Sequence, residues 1–467
     1  MGSRRYPGRR PLKAWQLTAL VGVTGALALA GCSSSGSSSG PSTGSTGTST
    51  GAPAGGSSSA PGNATSGSIS WWASPINAGG NDVRQVLIKD FEKKYPNIHV
   101  NLVSAPNNTD TYRAQLTTQI SGGAATPDVY NGDVIWPAQF AAHQLAVPLS
   151  DYLPSSYWQQ FAPGLVQGAS YKGKVYGSPL YEDQGFLFYR KDLLQKDNLP
   201  VPQTWEQLQS DATKLVKDGL VKYGFVWQGA SYEGLTCNFM EYLTDAGGTV
   251  TNSGYTKATL DSAAAGKATT FMRSLITSGA TPSAVTTFKE DQAMATFAGG
   301  QSAFLRNWDY AYSVSQTKGS SSVIGKVGVA PLPTFQGHPY PGYSNIGGWN
   351  MYINPHSKNV AADLTFIKWL STPAAQDILS KRYGFISTVQ AVRTDPTVIA
   401  SNPVFAVVPK TRLVPRPAGT PQYPQLSTAI YQNVNAALAG SATPSAAVSS
   451  MQSAAKSALS SSTTGGL

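Results

Sequence analysis

Apolar residues recur every three or four positions across residues 82–95, at Val83, Val86, Leu87, Phe91 and Tyr95, the stripe of an amphipathic helix. Apolar runs at 69–72 and 98–103 bracket it, and Pro96 and Asn97 mark its stop. Strand, helix, strand in that order predicts a crossover unit, and therefore a parallel sheet covered by helices. A second helix over 111–121 leads through Gly122 and Gly123 to a third strand at 127–130, which ends in Asn131, Gly132 and Asp133. Ligands of open α/β sheets bind beyond the carboxyl ends of strands, so Asp133 is a candidate site residue.

The stretch 178–194, SPLYEDQGFLFYRKDLL, organises the rest of the chain. Its apolar run Gly185, Phe186, Leu187, Phe188 and Tyr189 reads as a buried strand that leaves one lobe, crosses a cleft and starts another. Tyr181, Glu182 and Asp183 stand just before the run; on their own they read equally as an ordinary turn. Thr204, Trp205, Glu206 and Gln207 have the spacing of a capping box, followed by Leu208, Ala212, Leu215 and Val216 on one face and Gly219 at the end. Further helices are predicted over 232–246, 259–278, 288–298 and 360–370, and one begins at Thr372 with Pro373 in its first turn. Strands are predicted at 225–227, 302–305, 327–331 and 347–353. The strand at 302–305 delivers Arg306, Asn307, Trp308, Asp309 and Tyr310. The Ala/Ser-rich end, 440–467, predicts one thin helix and a frayed tail.

At 467 residues the chain exceeds one average domain, but its first 67 residues are not expected to be fold. Arg4, Arg5, Arg9, Arg10 and Lys13 precede an apolar run over 15–30 that is short for a membrane span, the pattern of an export signal. It ends in Leu29, Ala30, Gly31 and Cys32, which resembles the lipobox of bacterial lipoproteins, with Cys32 the lipidated residue. All of 33–67 except Asn63 is Ser, Gly, Thr, Ala or Pro, a composition that cannot bury apolar surface. As a flexible tether it would span about 30–35 Å. Removal of the signal lowers the formal charge from +10 to +5, since it carries five Arg/Lys and no acid. No basic cluster interleaved with aromatics appears, so no nucleic acid is expected as a partner. With Cys32 lipidated, Cys237 has no disulfide partner and reads as a buried, inert thiol.

The segments IKDFEKKYPNIHV, PDVYNGDVIWPAQFA, VYGSPLYEDQGFLFYRKDLL, TWEQLQSDATKL and the GGW to INPHSKNVAADLTFIKWL run resemble the extracellular solute-binding lipoproteins of ABC sugar importers, over about 68–440. FVWQGASYEGLTCNFMEYL, AFLRNWDYAY and PGYSNIGGWN resemble the trehalose/maltose-type branch. The resemblance implies an α/β, two-lobed periplasmic-binding-protein-like fold with a ligand cleft between discontinuous lobes: 68–180 with 331–384, and 181–330 with 385–467. It also implies a disaccharide ligand, hinge closure, ABC permease subunits as partners, and attachment to the membrane through Cys32, as a monomer without a cofactor. No ATP-binding loop is present, since Gly325 and Lys326 lack the spaced glycine and following Ser/Thr.

A disaccharide offers flat C–H patches on its ring faces and hydroxyls on its edges, so its receptor needs aromatic plates, acids and guanidinium groups. Trp308 and Trp349 are the candidate plates, with core filling as the alternative. Asp133 and Asp183 are candidate acceptors of charge-assisted hydrogen bonds. By the resemblance, Arg113, Tyr181, Arg416 and Tyr423 join the site, and Gly348 brings backbone close to ligand. The loop 77–82, where relatives place an acidic contact, offers Asn77, Asn81 and Asp82 without a clear equivalent. Glu233 is a family mark without an assigned role, a structural acid by default. Two acids across a cleft are also what a glycoside hydrolase requires, and a sugar-sensing surface receptor would share the fold. Neither Asp133 nor Asp183 sits in a hydrolase-like motif, so the expectation is a binding protein and not an enzyme. Ser453 and Lys456 match a serine–lysine spacing in a tail where such matches are common. His99, His143, His338 and His356 show no metal-ligand spacing.

Overall fold

One mixed sheet carries the molecule, and its strand order explains why residues far apart in sequence meet. The structure is a computed structural model, of which residues 64–75 and 82–460 are described. The export signal, Cys32, the tether up to residue 63 and the loop residues Asn77 and Asn81 lie outside the described residues. The strands of this sheet are β1 (Gly67–Ala73), β2 (Ile98–Ser104), β3 (Val129–Asp133), β4 (Ser178–Arg190), β5 (Tyr223–Val226), β6 (Ser302–Trp308), β7 (Val327–Ala330), β8 (Tyr343–Ile353), β9 (Ile386–Ser387) and β10 (Arg412–Val414). Their order is β2-β1-β3-β8-β4-β6-β5, with β7 and β9 also on β4, and β10 on β8.

β1 lies between β2 and β3 and runs parallel to both, as the crossover pattern predicts. The helix between β1 and β2 is α1 (Val83–Lys94); the Asp82 carboxylate caps it by accepting from the Arg84 amide at 3.0 Å. α2 (Thr109–Ser121) follows β2. The predicted tether ends earlier than its composition implies. Gly67 already pairs with Ile98, and the Ala64 amide donates to the Thr365 hydroxyl, so backbone pairing overrides composition there.

β4 is one uninterrupted strand of 13 residues. Its first half, through Gln184, pairs antiparallel with β8; from Gly185 onward it pairs with β6 and β7. The strand thus passes from one set of neighbours to another at Gln184 and Gly185, where the sequence places a crossing. β8 is antiparallel to both β3 and β4, so it inserts Trp349 between Asp133 and Tyr181.

Two large apolar clusters flank this junction. One gathers Trp71, Val83, Leu87 and Phe91 with Phe366 and Trp369 of α3 (Val360–Leu370). The other gathers Trp205, Leu208, Ala212 and Leu215 of α4 (Trp205–Lys217) with residues of α5 (Glu233–Asp245), α6 (Ala263–Thr277), α7 (Tyr423–Ala439) and α8 (Pro444–Ser460). Full burial of one such side chain contributes about 1.5–3 kcal/mol. The Thr204 hydroxyl caps α4 by accepting from the Gln207 amide at 3.1 Å, but the reciprocal half falls one residue early: Gln207 Oε1 accepts from Gln203. Thr204 instead bridges to Thr334. Helix α8 is the predicted terminal helix. Ala447, Met451, Ala455 and Leu459, spaced by four, are buried on its inner face, Met451, Ala455 and Leu459 within the second cluster.

Candidate ligand-binding site

Where β3, β4, β6 and β8 come together with the start of α5 lies a cavity of about 450 Å³, within the ~300–1,000 Å³ of small-molecule sites. Asp133, Tyr181, Asp183, Trp308, Gly348, Trp349 and Arg416 line it; Arg113 and Tyr423 do not.

The two indoles are held from behind. Trp308 ends β6, and the Arg306 guanidinium sits 4.1 Å from its ring. Arg306 is pinned by Glu241, with Nε to Oε2 at 2.9 Å and Nη2 to Oε1, and by Gln228 Oε1 at 3.1 Å from Nη1. Trp308 Nε1 points to Glu290 Oε1 at 3.5 Å. Trp349 stacks on Tyr112 at 6.3 Å and meets the edge of Trp136 at 6.0 Å; the Tyr112 hydroxyl is fixed on the Trp72 carbonyl at 2.6 Å. Each ring therefore has protein on one side and the cavity beside it.

Gly348 has φ +122°, and a Cβ there would lie 2.5 Å from the Tyr181 carbonyl oxygen. The glycine is required by the contact of β8 with β4, in addition to its place on the cavity wall. It adjoins the register shift between Trp349 and Asn350 in the pairing with β4.

Arg416 organises the acids. Its Nη2 donates to Asp133 Oδ1 at 2.7 Å and its Nη1 to Asp133 Oδ2 at 3.2 Å and Glu233 Oε1 at 2.8 Å. Glu233, the first residue of α5, lines the cavity and also accepts from the Tyr423 hydroxyl at 2.5 Å and the Ser427 hydroxyl at 2.6 Å. Burial raises its carboxyl to about 7, with Arg416 opposing the shift. Glu233 is thus the hub between the cavity and α7. Tyr423, expected in the site, lies outside the cavity lining: its hydroxyl donates to Glu233, and the residue is fully buried. Arg113 is likewise outside the lining, its guanidinium 3.8 Å from Asp110 one turn back on α2. Asp110 in turn accepts from the Glu233 amide at 3.3 Å, supplying an acceptor at an α5 start where Tyr232 offers no side-chain cap.

The wall also includes Tyr232, Glu290, Tyr310 and Phe385, which are not among the site residues expected from the sequence. Tyr310 lies within the motif AFLRNWDYAY and carries a signal; Glu290, at the first turn of a helix with ordinary neighbours, carries none. Cys237 is buried in the wall, and burial pushes its thiol up, as befits an inert group. Ser453 is exposed on α8 and donates to its own helix at Ser449. Among the described residues, no group of three or more His, Cys, Asp and Glu is placed to hold a metal ion, and no helix is long and apolar enough to cross a membrane.

A cleft of rings and acids at a strand crossover narrows the class, and comparison with known proteins decides it. The profile of bacterial extracellular solute-binding proteins matches residues 73–377. The chain belongs to that family. A probable ABC transporter-binding protein of Deinococcus radiodurans is 33% identical to this solute-binding protein over 355 residues, 74% of this chain and 83% of the relative. Maltose-bound MalE3 of T. maritima superposes with a TM-score of 0.78 at 32% identity, covering 84% of this chain and 99% of that one. An ABC transporter solute-binding protein of Thermotoga lettingae TMO, bound to α-D-tagatose, gives 0.76 at 26% identity, covering 84% and 100%. The α/β, two-lobed periplasmic-binding-protein-like fold expected from sequence is the fold of this solute-binding protein. These relatives are binding proteins, not enzymes.

Proposed function

We propose that this chain is the substrate-binding lipoprotein of an ABC importer, which captures a disaccharide of the trehalose or maltose type by hinge closure and delivers it to permease subunits. The carrying observation is the pair of indoles, Trp308 and Trp349, each backed by protein and open to one cavity that also presents Asp133, Asp183 and Arg416. Aromatic faces cover the C–H patches of sugar rings, and the charged groups take the hydroxyl edges. Similarity to maltose-bound MalE3 supports an α-glucoside; similarity to a tagatose-bound relative makes sugar size the open variable. The lobes are 68–180 with 331–384 and 181–330 with 385–467, and β4 crosses between them. Cys32 carries the lipid that holds the monomer at the outer face of the membrane.

Hydrolysis is disfavoured by the engagement of Asp133. A carboxylate bound bidentately by Arg416 is not free to activate water or attack a sugar carbon. Calorimetric titration of the mature chain with trehalose, maltose, sucrose, maltotriose and tagatose, each mixture being assayed for released monosaccharide, tests the reading. Saturable binding of an α-glucoside without release is expected. Absence of binding across the α-glucosides sinks the ligand class, and release of monosaccharide sinks the transport role.

A further inference from the structure

Two carboxyl groups meet at the point where β4 and β6 part. Pairing of these strands ends at Gly185 and Trp308; Asp183 lies just before that pair on one strand, and Asp309 follows it on the other. Asp183 lines the cavity and is 7% exposed, whereas Asp309 is fully buried behind it. Asp309 Oδ2 accepts from the Ile386 amide of β9 at 2.9 Å. Oδ1 of Asp183 and Oδ1 of Asp309 are buried without a hydrogen-bond partner in the protein; Ile386, which holds Asp309, pairs with Glu182 beside Asp183, so each carboxyl acts on the other. Two ionised carboxylates cannot satisfy one another, since each only accepts. One proton between them satisfies both oxygens and removes the repulsion.

We propose that Asp309 is a positioning residue of the sugar site: it shares one proton with Asp183, and that shared proton orients the Asp183 carboxylate as an acceptor for a ligand hydroxyl. The inference rests on the proposed sugar-binding function and deepens it.

Asp133 on β3, Glu182 on β4 and Glu290 on the helix that follows residue 289 are the charged groups acting on Asp183, and all are acids. Tyr181 and Tyr310 face the dyad as well, and Asp291 acts on Tyr310. Of the nearby cations, Arg416 is engaged by Asp133 and Glu233, and Arg393 by Glu182; Lys289 also lines the cavity, with its ammonium 5.4 Å from the Tyr232 ring. β8 and β9 present backbone, at Gly347 and Ile386. Burial and this acidic company raise Asp183 to about 7 and Asp309 well above the carboxylate range.

A ligand that excludes water from the cleft makes a second negative charge on the dyad still less favourable, so the complex holds the shared proton more tightly than the free protein does. By linkage, affinity falls as pH rises through the range in which the free dyad loses that proton.

The test uses maltose as probe and calorimetry on the mature chain at pH 6.5 and pH 9. Wild type is expected to weaken at least about tenfold at pH 9, an effect of one unit in log affinity. Asp309→Asn, whose amide donates to Asp183 without titrating, is expected to weaken by clearly less than wild type over the same range, with Glu233 of the cavity wall contributing equally in both proteins. Equal pH dependence in wild type and D309N overturns the proposal. Independently of any sugar, carboxyl carbon NMR of aspartate-labelled, ligand-free protein should show an aspartic acid still protonated above pH 7 that is missing in D309N. Absence of any aspartic acid signal above pH 7 that D309N removes, those of Asp245 and Asp363 being present in both proteins, overturns the shared proton. Failure of maltose to bind wild type at either pH counts against the proposed function, and the carboxyl titration then decides the dyad.

Discussion

Trp349 is stacked on Tyr112, edged by Trp136 and open to the cavity, so its removal takes away a plate while the wall behind remains packed. Trp349→Ala should cost about 2–3 kcal/mol of ligand binding, roughly 30- to 150-fold in affinity, with a cooperative melt retained; unchanged affinity in a calorimetric titration would remove the residue from the site. Arg416 differs in kind because two buried acids depend on it. Arg416→Met leaves Asp133 and Glu233 unpaired, and should lower stability by about 3–5 kcal/mol in denaturant unfolding as well as weaken binding. Tyr423→Phe removes one hydrogen bond to Glu233 and should cost only about 1–2 kcal/mol of stability. The residue types legible in sequence were those with a chemical signature, such as the tryptophans and Asp133 at a strand end. The hub role of Glu233 was not legible, because its partners Arg416, Tyr423 and Ser427 lie over 180 residues away in sequence.

At the scale of elements, the site depends on β8 running against β4 with a glycine at the point of closest approach. Gly348→Ala would place Cβ 2.5 Å from the Tyr181 carbonyl at a φ of +122°, and should destabilise by at least about 2 kcal/mol. Its thermal melt and sugar titration should both change; a wild-type melt would show that β8 has room to shift. Periodicity located α1, α3 and α4 well, because each presents an apolar stripe with a cap or a stop. It did not identify α7, the helix that carries Tyr423 and Ser427, although Pro424 in its first turn and Gly440 at φ +80° after its end are the usual punctuation. Alternation predicted β8 only from 347, because Tyr343, Ser344 and Asn345 gain strand geometry by pairing with β10, a partner invisible to local pattern. The antiparallel placement of β8 between β3 and β4 is a tertiary choice of the same sort.

For the whole molecule, the buried acids set an unusual pH response. Burial raises Asp183, Glu233 and Asp245 to about 7 and Asp363 to about 8. In the unfolded chain these groups ionise near ordinary carboxylate values, so between about pH 4 and 8 the folded state binds more protons and stability falls as pH rises. Asp128 and Asp192 are shifted downward, and the stability they contribute is complete above about pH 5. The ligand-free protein should therefore melt lower at pH 8 than at pH 5.5 by at least about 2 °C, and Asp363→Asn should flatten part of that slope. A rising melting temperature over the same range in calorimetric scans would contradict the upward shift of these buried carboxyls.

The central claim is that one cleft holds a sugar between Trp308 and Trp349, with Asp183 on its hydroxyls. A crystal structure of the mature chain grown with maltose tests it most directly. Density for the sugar against both indole faces is predicted, with a hydroxyl within hydrogen-bond distance of Asp183. A sugar bound elsewhere, or one that leaves both indoles uncovered, would contradict it.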